Sequence, residues 1–205
     1  MRPAPGVTAG FAREIAAVVE QLRHITVQVR TRRAATGAGI VWNTGEPGGP
    51  GLVLTNAHVV PGNLATIELS DGCVARARVV ARDPKRDLAA LEFELEPART
   101  TAAAVVRDSP LHVGELVIAI GHPGGLVGAA TLGIVQAAES AREGRAPRWI
   151  RADVRLAPGF SGGPLADATG RLVGVNTMMQ GNLALAVPAA AVEAWVRRSH
   201  APVAP

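Results

Sequence analysis

Apolar residues along this 205-residue chain follow two spacings. At 9–24, Phe11, Ile15, Val18, Val19 and Leu22 recur at helical spacing, with Arg13, Glu14, Glu20 and Arg23 elsewhere on the wheel, which predicts a short amphipathic helix. The pattern then shortens to strand-length apolar or β-branched runs bounded by turn residues: ITVQV (25–29), GAGIVW (37–42), GLVLT (51–55), LATIEL, VARARVVAR and LAALEFEL. Glycine- and proline-rich NTGEPGGPG, then SDG and RDPKRD, read as their connections. A polar, less periodic stretch at 96–111 reads as a linker. A second series follows in LVIAIG, AATLGIVQA, RWIRADV, RLVGVNT and LALAVP, and the chain closes with a predicted helix at 189–198 whose first turn would hold Pro188.

Two runs of about six short strands, each too small to stand alone, predict an all-β chain of two packed six-stranded antiparallel barrels with short N- and C-terminal helices. The expected organisation is a single domain over 1–205, with one barrel at 25–100 and the other at 112–187.

Composition narrows the function classes. Of the 21 basic residues, all but Lys85 are arginine, and the net charge is +4. The densest basic run, Arg30-Thr31-Arg32-Arg33, has no aromatic neighbours on which bases could stack, so nucleic acid is not an expected partner. Cys73 is the only cysteine, which excludes an internal disulfide, and it reads as a strand residue. No apolar run approaches the roughly 18 residues of a membrane span, so no membrane insertion is expected. The first residues lead into a charged helix rather than an apolar signal core, so the sequence as given reads as cytoplasmic; trimming of the N-terminus would make it periplasmic or extracytoplasmic. No metal-ligand spacing and no cofactor motif stand out.

The candidate chemistry centres on APGFSGGPL (157–165), where Ser161 sits among glycines between two prolines. Gly159-Phe160-Ser161-Gly162-Gly163 satisfies the nucleophile-elbow pattern, but an α/β-hydrolase places its acid and histidine after the serine and a helix directly behind it. Downstream stand Asp167, six residues on, and His200 close to the end, and Gly162-Gly163-Pro164 is a poor helix start. Upstream, His58 follows the strand GLVLT and Asp87 stands at the start of the apolar LAALEF run. A serine needs a base to take its proton, and the base needs an orienting carboxylate. The order His58, Asp87, Ser161 supplies all three across the two barrels, and ligand sites favour such interfaces. A turn containing Gly159 can aim its N–H beside that of Ser161, as an oxyanion site requires. Taken singly, each has a plainer reading: His58 as a polar turn residue, Asp87 as a solvated partner of Arg86 or Lys85, Ser161 as a loop residue.

At these residues the chain resembles the trypsin-like (chymotrypsin-fold) serine proteases, and within them the bacterial HtrA (DegP-like) family. The likeness rests on GAGIVW…GLVLTNAHVV, RDLAALEF, VGELVIAIGHPGGL, IRADVRLAPGFSGGPL, GRLVGVNT and LALAVP, and covers about residues 8–198. It implies a serine endopeptidase acting on unfolded or flexible polypeptides, with His58 as general base, Asp87 as its orienter and Ser161 as nucleophile. It implies oxyanion N–H groups from Gly159 and Ser161. Thr177, Met178 and Met179 would pair with substrate backbone, and Leu156 and Met179 would line a pocket for small or medium apolar side chains. Arg155 would point outward.

Two residues depart from the family. Phe160 stands beside the nucleophile and the substrate site where asparagine is usual, and His122 replaces another asparagine and reads as surface. Phe160 motivates the rival reading of a catalytically silent scaffold that binds peptides or acts as a chaperone-like module. About seven residues follow the predicted last helix, so no PDZ domain is expected there. The family commonly assembles as a trimer through the segment before its first strand, which here makes Phe11 the candidate contact of a homotrimer.

Overall fold

Alternation in the strands decides how the chain packs. The computed structural model describes residues 7–31, 36–42, 50–94, 104–138 and 149–199. Helix α1 (Val7–Ile25) precedes β1 (Thr26–Arg30), β2 (Thr36–Trp42), β3 (Gly51–Thr55), β4 (Leu64–Glu68), β5 (Val74–Asp83) and β6 (Leu88–Phe93). These six strands close into a barrel in the order β1-β2-β3-β6-β5-β4, all pairs antiparallel. The second barrel comprises β7 (Leu116–Gly121), β8 (Ala129–Ala138), β9 (Ile150–Asp153), β10 (Pro164–Asp167), β11 (Leu172–Gln180) and β12 (Leu183–Pro188), and α2 (Ala189–Ser199) follows. Counted from its own first strand, the second barrel closes in the same order as the first.

Several strands are apolar on both faces because each face has its own core. In β3, Val53 points into the first barrel, while Leu52 and Leu54 join a separate cluster. In β7, Val117 and Ala119 fill the second barrel, and Ile118 and Ile120 join that same separate cluster. This third core, between the barrels, also takes Leu22 of α1 and Val192 and Trp195 of α2. Leu22 is only 1% exposed, and burial of a leucine of this kind contributes about 2–3 kcal/mol. The helices therefore cap the seam between the barrels.

The predicted elements correspond to observed ones, with local corrections. Strand β10 is absent from the sequence reading, and its Leu165 and Ala166 pair with both β7 and β11. Pro188 ends β12 rather than opening the helix. Cys73 lies in the turn before β5, its N–H donating to Asp71 Oδ1, and is not a strand residue. The stretch at 96–111 is more than a linker where it is described: Leu172 N–H donates to Val105 O and Arg107 N–H to Leu172 O, adding a short parallel bridge to β11. Residues 43–49 of the predicted hairpin loop, Arg32, Arg33 and His200 lie outside the described residues.

Candidate active site

The end of β3 is pinned before it reaches the histidine. The buried Thr55 hydroxyl donates to Ala38 O (2.7 Å), and the fully buried Asn56 donates its side-chain amide to Asp87 O (2.9 Å). Val59 and Val60 then plunge into the first barrel, so the turn at 57–59 has buried apolar anchors after it. His58 is left at the surface, its side chain 49% exposed. Asp87 sits in the turn between β5 and β6 with φ +56°, a left-handed conformation uncommon for a residue with a Cβ. Its carboxylate accepts from His58 N–H (3.0 Å) through Oδ1 and pairs with His58 Nδ1 (2.7 Å) through Oδ2. A neutral His58 with its proton on Nδ1 presents Nε2 as an acceptor. Burial alone would push the Asp87 carboxyl up; the bonds from the His58 ring, His58 N–H and the Thr177 hydroxyl (2.8 Å) outweigh it and hold the group below its ordinary value.

The serine turn is held by backbone. Ala38 N–H of the first barrel donates to Ser161 O (2.8 Å), Gly162 N–H to Asn176 O (2.8 Å), and Asn176 N–H to Gly163 O (2.9 Å). Gly162 has φ +87°, and a Cβ there would lie 2.2 Å from Ala38 O and 2.3 Å from Thr55 Oγ1. Gly159 has φ +111°, and its carbonyl accepts from His122 N–H (2.9 Å). That leaves the amides of Gly159 and Ser161 without an acceptor among the described residues. The Ser161 hydroxyl donates to Thr177 O (3.0 Å).

One cleft takes in His58, Asp87 and Ser161, with Leu156, Ala157 and Pro158 on one wall and Thr177, Met178 and Met179 on another. Strand β11 pairs with β10 only as far as Val175, so among the described residues no strand other than β12 pairs with residues 177–180. Met178 and Met179 are exposed on that stretch. Arg155 is exposed.

Two sequence expectations are corrected here. Phe160, expected on the substrate side of the serine turn, has its side chain 4% exposed and packed in the core of the second barrel, against Gly121. His122 is not a surface residue but 3% exposed, its Nδ1 accepting from Gly128 N–H (3.2 Å), and burial pushes its imidazole pKa down. Asn56 and the Thr177 hydroxyl were missed as partners of Asp87. A buried asparagine inside the apolar LVLTNAHVV run was the available signal for the first.

The trypsin-like peptidase domain family matches residues 37–175. A Bartonella henselae protein named "Probable periplasmic serine endoprotease DegP-like" is 36% identical over 177 residues, covering 82% of this chain and 34% of the relative. A Brucella suis protein of the same name is 36% identical over 148 residues, covering 71% and 28%. The chain thus spans well under half the length of these curated relatives. The crystal structure of the serine endoprotease from Yersinia pestis superposes on 97% of this chain and 68% of its own, with a TM-score of 0.77 at 23% identity, which speaks for the double-barrel fold.

Proposed function

The chain belongs to the trypsin-like peptidase family, and on that premise we propose that it is a serine endopeptidase working through His58, Asp87 and Ser161. The observation that carries the reading is their convergence in one cleft, with His58 Nδ1 2.7 Å from the Asp87 carboxylate and two amides left without acceptors beside Ser161. The Ser161 hydroxyl turns from Thr177 O toward His58 Nε2, which takes its proton as Oγ attacks the scissile carbonyl. The Gly159 and Ser161 N–H groups receive the oxyanion, worth about 3 kcal/mol per donor in the transition state. The imidazolium passes the proton to the leaving amine as the C–N bond breaks. Water then enters and gives a proton to His58 as its oxygen bonds the acyl carbon; His58 returns that proton to Ser161 Oγ as the ester C–O bond breaks and the acid leaves.

The substrate is an extended polypeptide segment. The edge at 177–180 away from β12 offers backbone groups for strand addition, while Leu156 and Met179 supply apolar walls that would leave a charged side chain unpaired. Oligomerisation is part of the same reading: Phe11 is 48% exposed on α1 while Leu22 is buried at its other end, and we infer a homotrimer contact at Phe11. Light scattering of wild type and Phe11→Ala checks it; a wild-type monomer at high micromolar concentration removes the contact. Among the described residues no helix is long and apolar enough to cross a membrane. The word "periplasmic" in the relatives' names supports an extracytoplasmic setting over a cytoplasmic one.

Ser161→Ala should lower casein cleavage by at least about 10⁴-fold and abolish fluorophosphonate labelling with the fold unchanged. Wild-type turnover in the purified variant would sink the assignment. A wild type that fails to label would favour the silent scaffold.

A further inference from the structure

Arg82, near the end of β5, lies outside the cleft, yet its guanidinium reaches three main-chain carbonyls of the turn that carries His58. Nη1 donates to Ala57 O (3.2 Å) and Val60 O (2.5 Å), and Nη2 donates to Gly62 O (2.6 Å). These carbonyls flank His58 on both sides and belong to a stretch outside the strand ladders, so they need partners from elsewhere. A planar fork with several donors can serve three carbonyls at once; an ammonium group cannot do so in the same geometry.

The local sequence explains why this arginine points there. Arg76 and Arg78, on the same strand parity, are exposed. Between Val79 and Ala81 the pairing of β5 with β6 shifts by one residue, a bulge that moves the following side chains to the opposite face. Arg82 is thereby turned from solvent onto the histidine turn and becomes half-buried.

We propose that Arg82 is a positioning residue for the base: it clamps the turn bearing His58 to the hairpin bearing Asp87. The proposal rests on the reading of His58 and Asp87 as a catalytic pair. A second bond crosses the same junction in the other direction, from the Asn56 amide to the carbonyl of the left-handed Asp87. Side-chain bonds thus tie hairpin to turn and turn to hairpin. The ring–carboxylate contact of 2.7 Å is then set by the frame and not by the flexible reach of an exposed histidine.

The test compares wild type, Arg82→Met and, as a control, Arg76→Met on the same strand. Peptide cleavage, fluorophosphonate labelling and the low-field proton resonance of His58 Nδ1–H are measured. Arg82→Met should lower kcat about 10- to 100-fold with KM within about twofold, and should shift or broaden the resonance. Arg76→Met should match wild type in all three. Millimolar guanidinium should restore part of the rate to Arg82→Ala, a rescue that a merely structural residue would not give. If Arg82→Met does not fold, Arg82→Lys is judged by the same rate and resonance. An unchanged kcat, or a lower kcat with an unshifted resonance, overturns the clamp. A wild type that does not label at all fails the catalytic reading instead, and the resonance comparison still decides the clamp.

Discussion

The two turns that meet in the cleft are built on opposite principles. Around His58, position comes from side chains: Asn56 bonds Asp87, Asp87 bonds the histidine twice, and Thr177 bonds Asp87. Around Ser161, position comes from the main chain and from missing side chains: Gly162 fits where a Cβ would strike Ala38 O, and amide–carbonyl bonds fix both ends. The difference follows from what each must present. The histidine has to offer a ring nitrogen of fixed tautomer, which other polar groups can set. The serine turn has to offer free N–H groups, which a crowding side chain would obstruct.

That contrast predicts different failures for equally inactive variants. Gly162→Ala puts a Cβ 2.2 Å from a main-chain oxygen at a φ of +87°. Strain and clash together should cost about 3 kcal/mol or more, which for a domain of this size lowers Tm by roughly 6–12 °C. His58→Ala removes one hydrogen bond to the Asp87 carboxylate at a half-exposed position, and should abolish cleavage yet cost only about 1 kcal/mol of stability. Thermal unfolding of the two variants side by side decides the matter. Equal losses of Tm would mean that the histidine turn is as tightly packed as the serine turn.

Legibility in the sequence divides along the same line. Strand positions could be read because an apolar run bounded by glycine, proline or aspartate has few other homes, and the double core explains why β3 and β7 are apolar throughout. His58, Asp87 and Ser161 could be put forward as candidates from residue type and order, and the structure brings them to one cleft. Burial in the irregular segments was not. Phe160 and His122 sit among glycines and prolines, so local sequence suggests loop and surface, whereas the closing of the second barrel covers both. Strand β10, four residues long and directly behind the serine turn, is too short to show a period. Arg82 shares the alternation of Arg76 and Arg78 in the run VARARVVAR, and the bulge that turns it depends on the partner strand and leaves no mark in that run.

The smallest predicted effect concerns what holds the chain behind the serine turn, where one polar cluster stands out against the backbone rule. Arg107 donates to Glu115 through both terminal nitrogens, reaches Pro110 O (2.8 Å), and approaches Asp167 (3.4 Å) at the end of β10. The bond from Arg107, then those from His112, hold the Glu115 carboxyl at about 2, below its ordinary 4.5. A depressed carboxylate stabilises the fold fully above its unfolded value and loses that contribution as pH falls through the folded one, here between about 4.5 and 2. With the Glu115 side chain 28% exposed, Glu115→Gln should cost about 1 kcal/mol at pH 7. Its difference from wild type should shrink steadily below pH 4.5 and be nearly gone at pH 2. Asp87 is also depressed, so wild type and variant share the loss on the histidine side, and the difference between them isolates the second barrel. Urea unfolding at the two pH values measures it. A difference that persists undiminished at pH 2 would show that the staple works through shape and neutral hydrogen bonds, bringing this region back under the rule that governs the serine turn.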